Sequence, residues 1–137
     1  MSLGVAPLGT VALGELPDSG AADTTAPVLS LPTGTTTGST TASGTVSTDE
    51  GNGTLYYYAS TNSTETAATI KASGDSQAVS ASGVQNVTFT GLTESTTYYA
   101  HYVQDDTATN ESNTQHSASF TTDAAGGTIL PLMMSYT

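Results

Sequence analysis

The feature that most constrains this chain is an alternation of period two. Between residues 27 and 122, apolar side chains repeatedly take turns with Thr and Ser, and the runs are broken by clusters of Gly, Asp and Asn. Period two sends successive side chains to opposite faces, so each run reads as a strand with one face to bury. Thr54 to Ser60, TLYYYAS, is the clearest run, with Leu55, Tyr57 and Ala59 on one face and Tyr56 and Tyr58 on the other. Thr97 to Gln104 repeats the pattern, with Tyr98, Ala100 and Tyr102 opposite Tyr99, His101 and Val103.

Five further segments complete the series. Pro27 opens a first strand, with Val28, Leu29 and Leu31, that ends near Pro32, and Thr33 to Thr40 reads as a turn-like stretch. Ala42, Gly44 and Val46 alternate with Thr and Ser in a second strand, closed by the turn cluster Asp49 to Gly53. Asn62 to Ser82 holds only Ile70 and Val79 as sizeable apolar residues. Within it Ala67 to Ala72 reads as an irregular edge strand slightly better than as a short helix. Gln85 to Thr90 turns Val87 and Phe89 inward, Gly91 to Thr96 makes a crossover, and Gln115 to Thr122 is a last strand anchored by Phe120. Seven such segments with turns between them predict an all-β sandwich over residues 26–123. Its expected core is Val46, Leu55, Val87, Phe89, Leu92, Tyr98, Ala100, Tyr102 and Phe120.

About a third of the residues are Thr or Ser, and Cys and Trp are absent, so sheet hydrogen bonding and a modest core must hold the domain without disulfides. Lys71 is the only Lys or Arg against twelve acidic residues, giving a formal charge of −11. Such a surface repels phosphate backbones and anionic membranes, so neither nucleic acid nor membrane is an expected partner. The N-terminus lacks the basic and apolar regions of an ordinary signal peptide, and no run approaches a membrane span.

Catalytic and metal signatures are weak. His101 and His116 are the only histidines, and Asp105, Asp106 and Glu111 lack the spacing of a dedicated calcium loop, so a solvated acidic loop is expected and no cofactor. Pairs such as Asp49 with Glu50 or Asp105 with Asp106 arise easily among twelve acids, and no nucleophile elbow or phosphate loop is present. The chain reads as a binding protein and not an enzyme. Asn52, Asn62, Asn86 and Asn110 fit the glycosylation spacing, which a Thr/Ser-rich chain produces readily.

Two apolar arms bracket the body. Residues 1–25 carry Leu-Gly three times at intervals of five, matching neither strand nor helix period. They read as an extended arm whose Leu3, Val5, Leu8, Val11, Leu13 and Leu16 enter successive grooves on a partner, the alternative being a flexible leader. In residues 124–137, Ile129, Leu130, Leu132, Met133, Met134 and Tyr136 read as anchors on another subunit, the alternative being a fold-back over the chain's own sheet edge.

The span GLTESTTYYAHYV resembles the crossover and following strand of fibronectin type III-like domains, a branch of the Ig-like sandwiches. The resemblance covers about Pro27 to Thr122, including SASFTT. It implies that Leu92 and Tyr98 form a tyrosine corner, in which the ring joins the core and the hydroxyl satisfies the turn backbone. The family's usual strand Trp is missing, which leaves its space to Tyr57 or Tyr58. The Thr/Ser-rich style looks like domains of bacteriophage virion proteins, and the arms resemble those of capsid decoration, or cement, proteins. That likeness implies a noncatalytic protein on the outer capsid surface, assembled in the host cytoplasm. Its partners would be the major capsid protein and neighbouring copies of itself. A tail or head-fibre module binding host glycan or surface protein, through Tyr56, Tyr58, Tyr99 or His101, is the alternative.

Overall fold

The structure is a computed structural model that describes residues 21–126. In chain order it contains β1 (Leu29–Thr36), β2 (Ala42–Thr48), β3 (Thr54–Ser60), α1 (Ala67–Ser73), β4 (Asp75–Ala78), β5 (Gly83–Phe89), β6 (Thr97–Asp105), β7 (Gln115–His116) and β8 (Phe120–Thr121). Antiparallel pairing builds one sheet in the order β1-β2-β5 and a second in the order β4-β3-β6-β7, with β8 also on β6. The two sheets pack face to face as a β-sandwich.

Alternation sets which residues enter the space between the sheets. In β2 the residues Ala42, Gly44, Val46 and Thr48 are buried, and the intervening Ser and Thr side chains are partly exposed. Leu29, Ala42, Val46, Val87 and Phe89 from one sheet meet Leu55, Ala100 and Tyr102 from the other, with Val79 and Phe120 closing the margins. Leu92 and Tyr98 are partly buried and pack against this cluster, as do Tyr57 and Ala59. Tyr57 sets its ring edge-on to Phe89 at 5.7 Å, so it is Tyr57, not Tyr58, that reaches the core. The Tyr102 hydroxyl crosses the sandwich to donate to the Thr33 carbonyl, satisfying its one polar atom inside an apolar layer. At the β5–β6 corner, the Tyr98 hydroxyl accepts from Thr93 N–H at 3.0 Å while its ring stacks near Phe120.

Three local expectations are corrected. β1 does not end near Pro32: the register shifts between Ser30 and Thr33, and pairing resumes through Thr36, inside the stretch expected to turn. A bulge on an edge strand accommodates proline, because its missing N–H is not needed there. Leu31 at its centre adopts φ 52° and is 76% exposed, and Val28 is 55% exposed, so Leu29 and the buried Pro27 anchor this segment.

Ala67–Ser73 is a helix, not an edge strand. Thr66 accepts from Thr69 N–H as N-cap, Gly74 N–H returns to the Ile70 carbonyl, and β4 follows directly.

The last strand is split in two. At Ser117 the side-chain oxygen accepts from Ala100 N–H at 2.9 Å while Ser117 N–H donates to the Ala100 carbonyl, so a side chain occupies a ladder position and pairing lapses before β8.

The chain enters and leaves the sandwich at opposite ends. Near the start, Val28 N–H donates to Asp49, and Asn110 Nδ2 donates to the Asp23 and Thr25 carbonyls, tying the entry to the β2–β3 and β6–β7 loops. Near the exit, Asp123 N–H donates to Gly38, and Ala125 N–H to Glu94, in the β1–β2 and β5–β6 loops. About one strand length, on the order of 25 Å, separates the two ends.

Candidate functional site

The expected partner-binding residues Leu3, Val5, Leu8, Val11, Leu13, Leu16, Ile129, Leu130, Leu132, Met133, Met134 and Tyr136 lie outside the described residues. Within the sandwich, chemistry gathers on the outer face of the larger sheet and at its margin beside α1.

β3 and β6 pair Tyr56 with Val103, Tyr58 with His101 and Ser60 with Tyr99 on that outer face. α1 lies over it, burying Ile70 and Val103 completely. His101 is also buried, on the side of the sheet where alternation expects solvent, beside Ser60, Tyr58 and His116. A hydrogen-bond chain satisfies it: His101 Nδ1 meets His116 Nδ1 at 2.8 Å, and His101 Nε2 meets Ser60 Oγ at 3.1 Å. Ser60 Oγ in turn donates to Glu65 Oε1 at 2.8 Å. Because the Ser60 proton goes to the carboxylate, the consistent assignment has His101 donating through Nε2–H and accepting at Nδ1 from His116. In that arrangement His101 donates to Ser60 and does not serve it as a base. Burial, and then repulsion from His116, hold the His101 pKa down at about 4. Burial lowers that of His116 as well. Hydrogen bonds from Asn62 and Ser60 hold the Glu65 carboxyl below its ordinary range.

The acidic loop is more structured than a solvated one. Lys71 Nζ lies 2.7 Å from both Asp105 and Glu111 and 5.6 Å from the centre of the Tyr56 ring. Burial opposes its charge, but the hydrogen bonds and charges of Asp105 and Glu111 prevail and raise its pKa. Asp106 is 4% exposed and accepts from Ala108 N–H, Asn110 N–H and Asn110 Nδ2. Burial opposes its ionisation, but these bonds prevail and lower its pKa. Carboxylate oxygens of Asp23, Glu50 and Asp106 approach within 4.8 Å, each also accepting a local hydrogen bond. Asp49 caps Val28, so the acidic pairs singled out as acid/base candidates serve loop geometry. Of the glycosylation-spaced residues, Asn52, Asn62 and Asn110 commit their side-chain nitrogens to hydrogen bonds, and Asn86 is exposed on β5.

A cleft of about 430 Å³ opens where β3 continues past the end of β4. Tyr57, Phe89, Leu92 and Tyr98 contribute apolar lining, while Glu65 and Asp75 bring carboxylates from just before and just after α1. Burial, and then the negative charge of Asp75, raise the Tyr57 hydroxyl pKa. Glu65 and Asp75 were not legible as a pair. Ten positions separate them, and they share a cleft only because the segment between them is helical. Of the aromatics proposed for glycan contact, Tyr58 lines the cleft and packs near His101, and Tyr99 lies on the outer face of β6.

No protein-family model matches the chain, and no curated protein matches it.

Proposed function

We propose that the chain is a noncatalytic bacteriophage capsid decoration, or cement, protein that binds and stabilises the shell of the major capsid protein. The observation that carries this reading is the entry and exit of the chain at opposite ends of the sandwich. Chain ends at opposite ends of the sandwich suit a fastener between neighbouring subunits. The apolar residues of the arms would then be buried on the shell, and binding to the assembled state would raise its apparent stability by linkage.

A fibronectin type III-like identity for the sandwich belongs to the same proposal. The grouping of β1, β2 and β5 against β3, β6 and β7 supports it, as does the Tyr98 hydroxyl on Thr93 N–H. β4 stays beside β3 instead of crossing to β5. Commitment of the buried His101 to its neighbours is consistent with a noncatalytic role.

The test compares the full chain with forms lacking residues 1–25 or 124–137, measuring attachment to isolated particles and particle resistance to heat. Each deletion is expected to weaken attachment while leaving a folded sandwich. A full chain that neither attaches nor protects sinks the proposal. Arm-independent binding to host envelopes favours the fibre-module alternative.

A further inference from the structure

We propose that the cleft between the β3–α1–β4 segment and the β5–β6 corner binds a basic side chain, arginine in preference to lysine, presented by a partner protein. This rests on the reading of the chain as a binding module and names the chemistry of the surface that module meets.

Two carboxylates, the half-buried Glu65 and the exposed Asp75, line the cleft together with the rings of Tyr57, Tyr58 and Tyr98. The Asp75 carboxylate takes no hydrogen bond and no ion pair from any described residue, and Glu65 Oε2 takes none either, since Ser60 and Asn62 both bond Oε1. No Lys, Arg or His lines the cleft among the described residues. The single Lys or Arg of the sequence, Lys71, is held between Asp105 and Glu111. The negative charge of Asp75 already reaches the Tyr57 hydroxyl.

A ligand entering this space strips water from carboxylates, which is unfavourable unless it brings compensating charge. A neutral sugar can donate hydrogen bonds but leaves that charge standing, whereas a guanidinium offsets it. Arginine also matches this lining. Its aliphatic stem can pack on the partly buried Leu92, and its planar head can stack on a tyrosine while bonding a carboxylate. The lysine ammonium, compact and strongly hydrated, uses the aromatic surface less well. A chain of charge −11 is drawn to basic surfaces at long range, and the cleft would give that attraction a specific end point.

The experiment is an NMR titration of the isotope-labelled full chain with N-acetylarginine amide, N-acetyllysine amide, N-acetylglutamine amide and maltose. Arginine amide is expected to give saturable shifts at Tyr57, Gly74, Asp75 and Gly91, with lysine amide weaker and the two neutral probes inactive. Asp75→Asn should weaken the arginine response about tenfold, the loss expected for one charge-assisted hydrogen bond, with the rest of its spectrum unchanged. Glu65→Gln is the second variant, and shifts at Ser60 and His101 report whether its network survives.

The proposal is overturned if arginine amide leaves the cleft resonances still, if its effects spread evenly over all acidic loops, if Asp75→Asn responds like the parent, or if maltose saturates the site instead. A chain that ignores arginine yet attaches to particles overturns the cleft alone. One that binds arginine but no particle overturns the decoration reading alone.

Discussion

Gly44 shows how a single position in a Thr/Ser-rich strand becomes fixed. A Cβ there would sit 2.8 Å from the Thr33 carbonyl and 2.9 Å from Phe89 Cε2, and would strike the Tyr102 hydroxyl. The thin inward face of β2 is therefore the space into which Tyr102 fits. Gly44→Ala should destabilise the fold by about 2 kcal/mol, a typical cost of overpacking, read from the urea midpoint. His101 makes the opposite point, since alternation put it outside and the structure buries it. Its folded pKa of about 4 lies below the ordinary 6.5, so the unfolded state binds the proton more readily. Stability from this group is complete above pH 6.5 and declines as pH falls toward 4, by about 1.4 kcal/mol per unit within that window. His101→Gln should show a flatter loss between pH 7 and 4.5 than the parent. An identical slope in the two chains would refute the burial argument. His116, Glu65, Ser60 and Tyr58 are the groups that face His101 and set this behaviour.

At the scale of elements, the strands legible in sequence were those whose alternation runs through large residues. β3 and β6 fall where TLYYYAS and TYYAHYVQ place them, because Leu55, Tyr57, Ala100 and Tyr102 each gain a core by facing the same way. Segments of Thr, Ser and Ala carried no such signal. β1 ran on past Pro32 because a bulge absorbed the proline, and α1 formed because the outer sheet face needed a cover. Propensity alone could not choose helix for Ala67–Ser73, since seven residues are marginal in isolation and tertiary packing decides. Two substitutions separate its local and tertiary support. Thr66→Ala, which removes the N-cap, should cost about 1 kcal/mol. Ile70→Ala, which opens the small core against Val103, should cost about 3 kcal/mol. Equal effects in urea unfolding would mean that the helix is not held by its packing.

For the whole molecule, the buried cluster from Leu29 to Phe120 lies inside the described residues. A fragment spanning residues 21–126 should therefore unfold cooperatively with a urea midpoint close to that of the full chain. A large drop would show that an arm contributes to the sandwich, the fold-back alternative for residues 124–137. The cleft was invisible in sequence because Glu65 and Asp75 meet Phe89, Leu92 and Tyr98 only after two sheets have packed and a helix has turned the chain between them. Sequence by itself determined the sandwich class, because period-two alternation and the search for apolar burial are local rules a chain carries with it. It also determined the formal charge of −11, which repels phosphate backbones. Only the tertiary structure decided that His101 is buried, that Lys71 is spent on Asp105 and Glu111, and that Asp75 meets no cation among the described residues. Those outcomes depend on which surfaces far apart in the chain are brought together, and no short-range pattern encodes that.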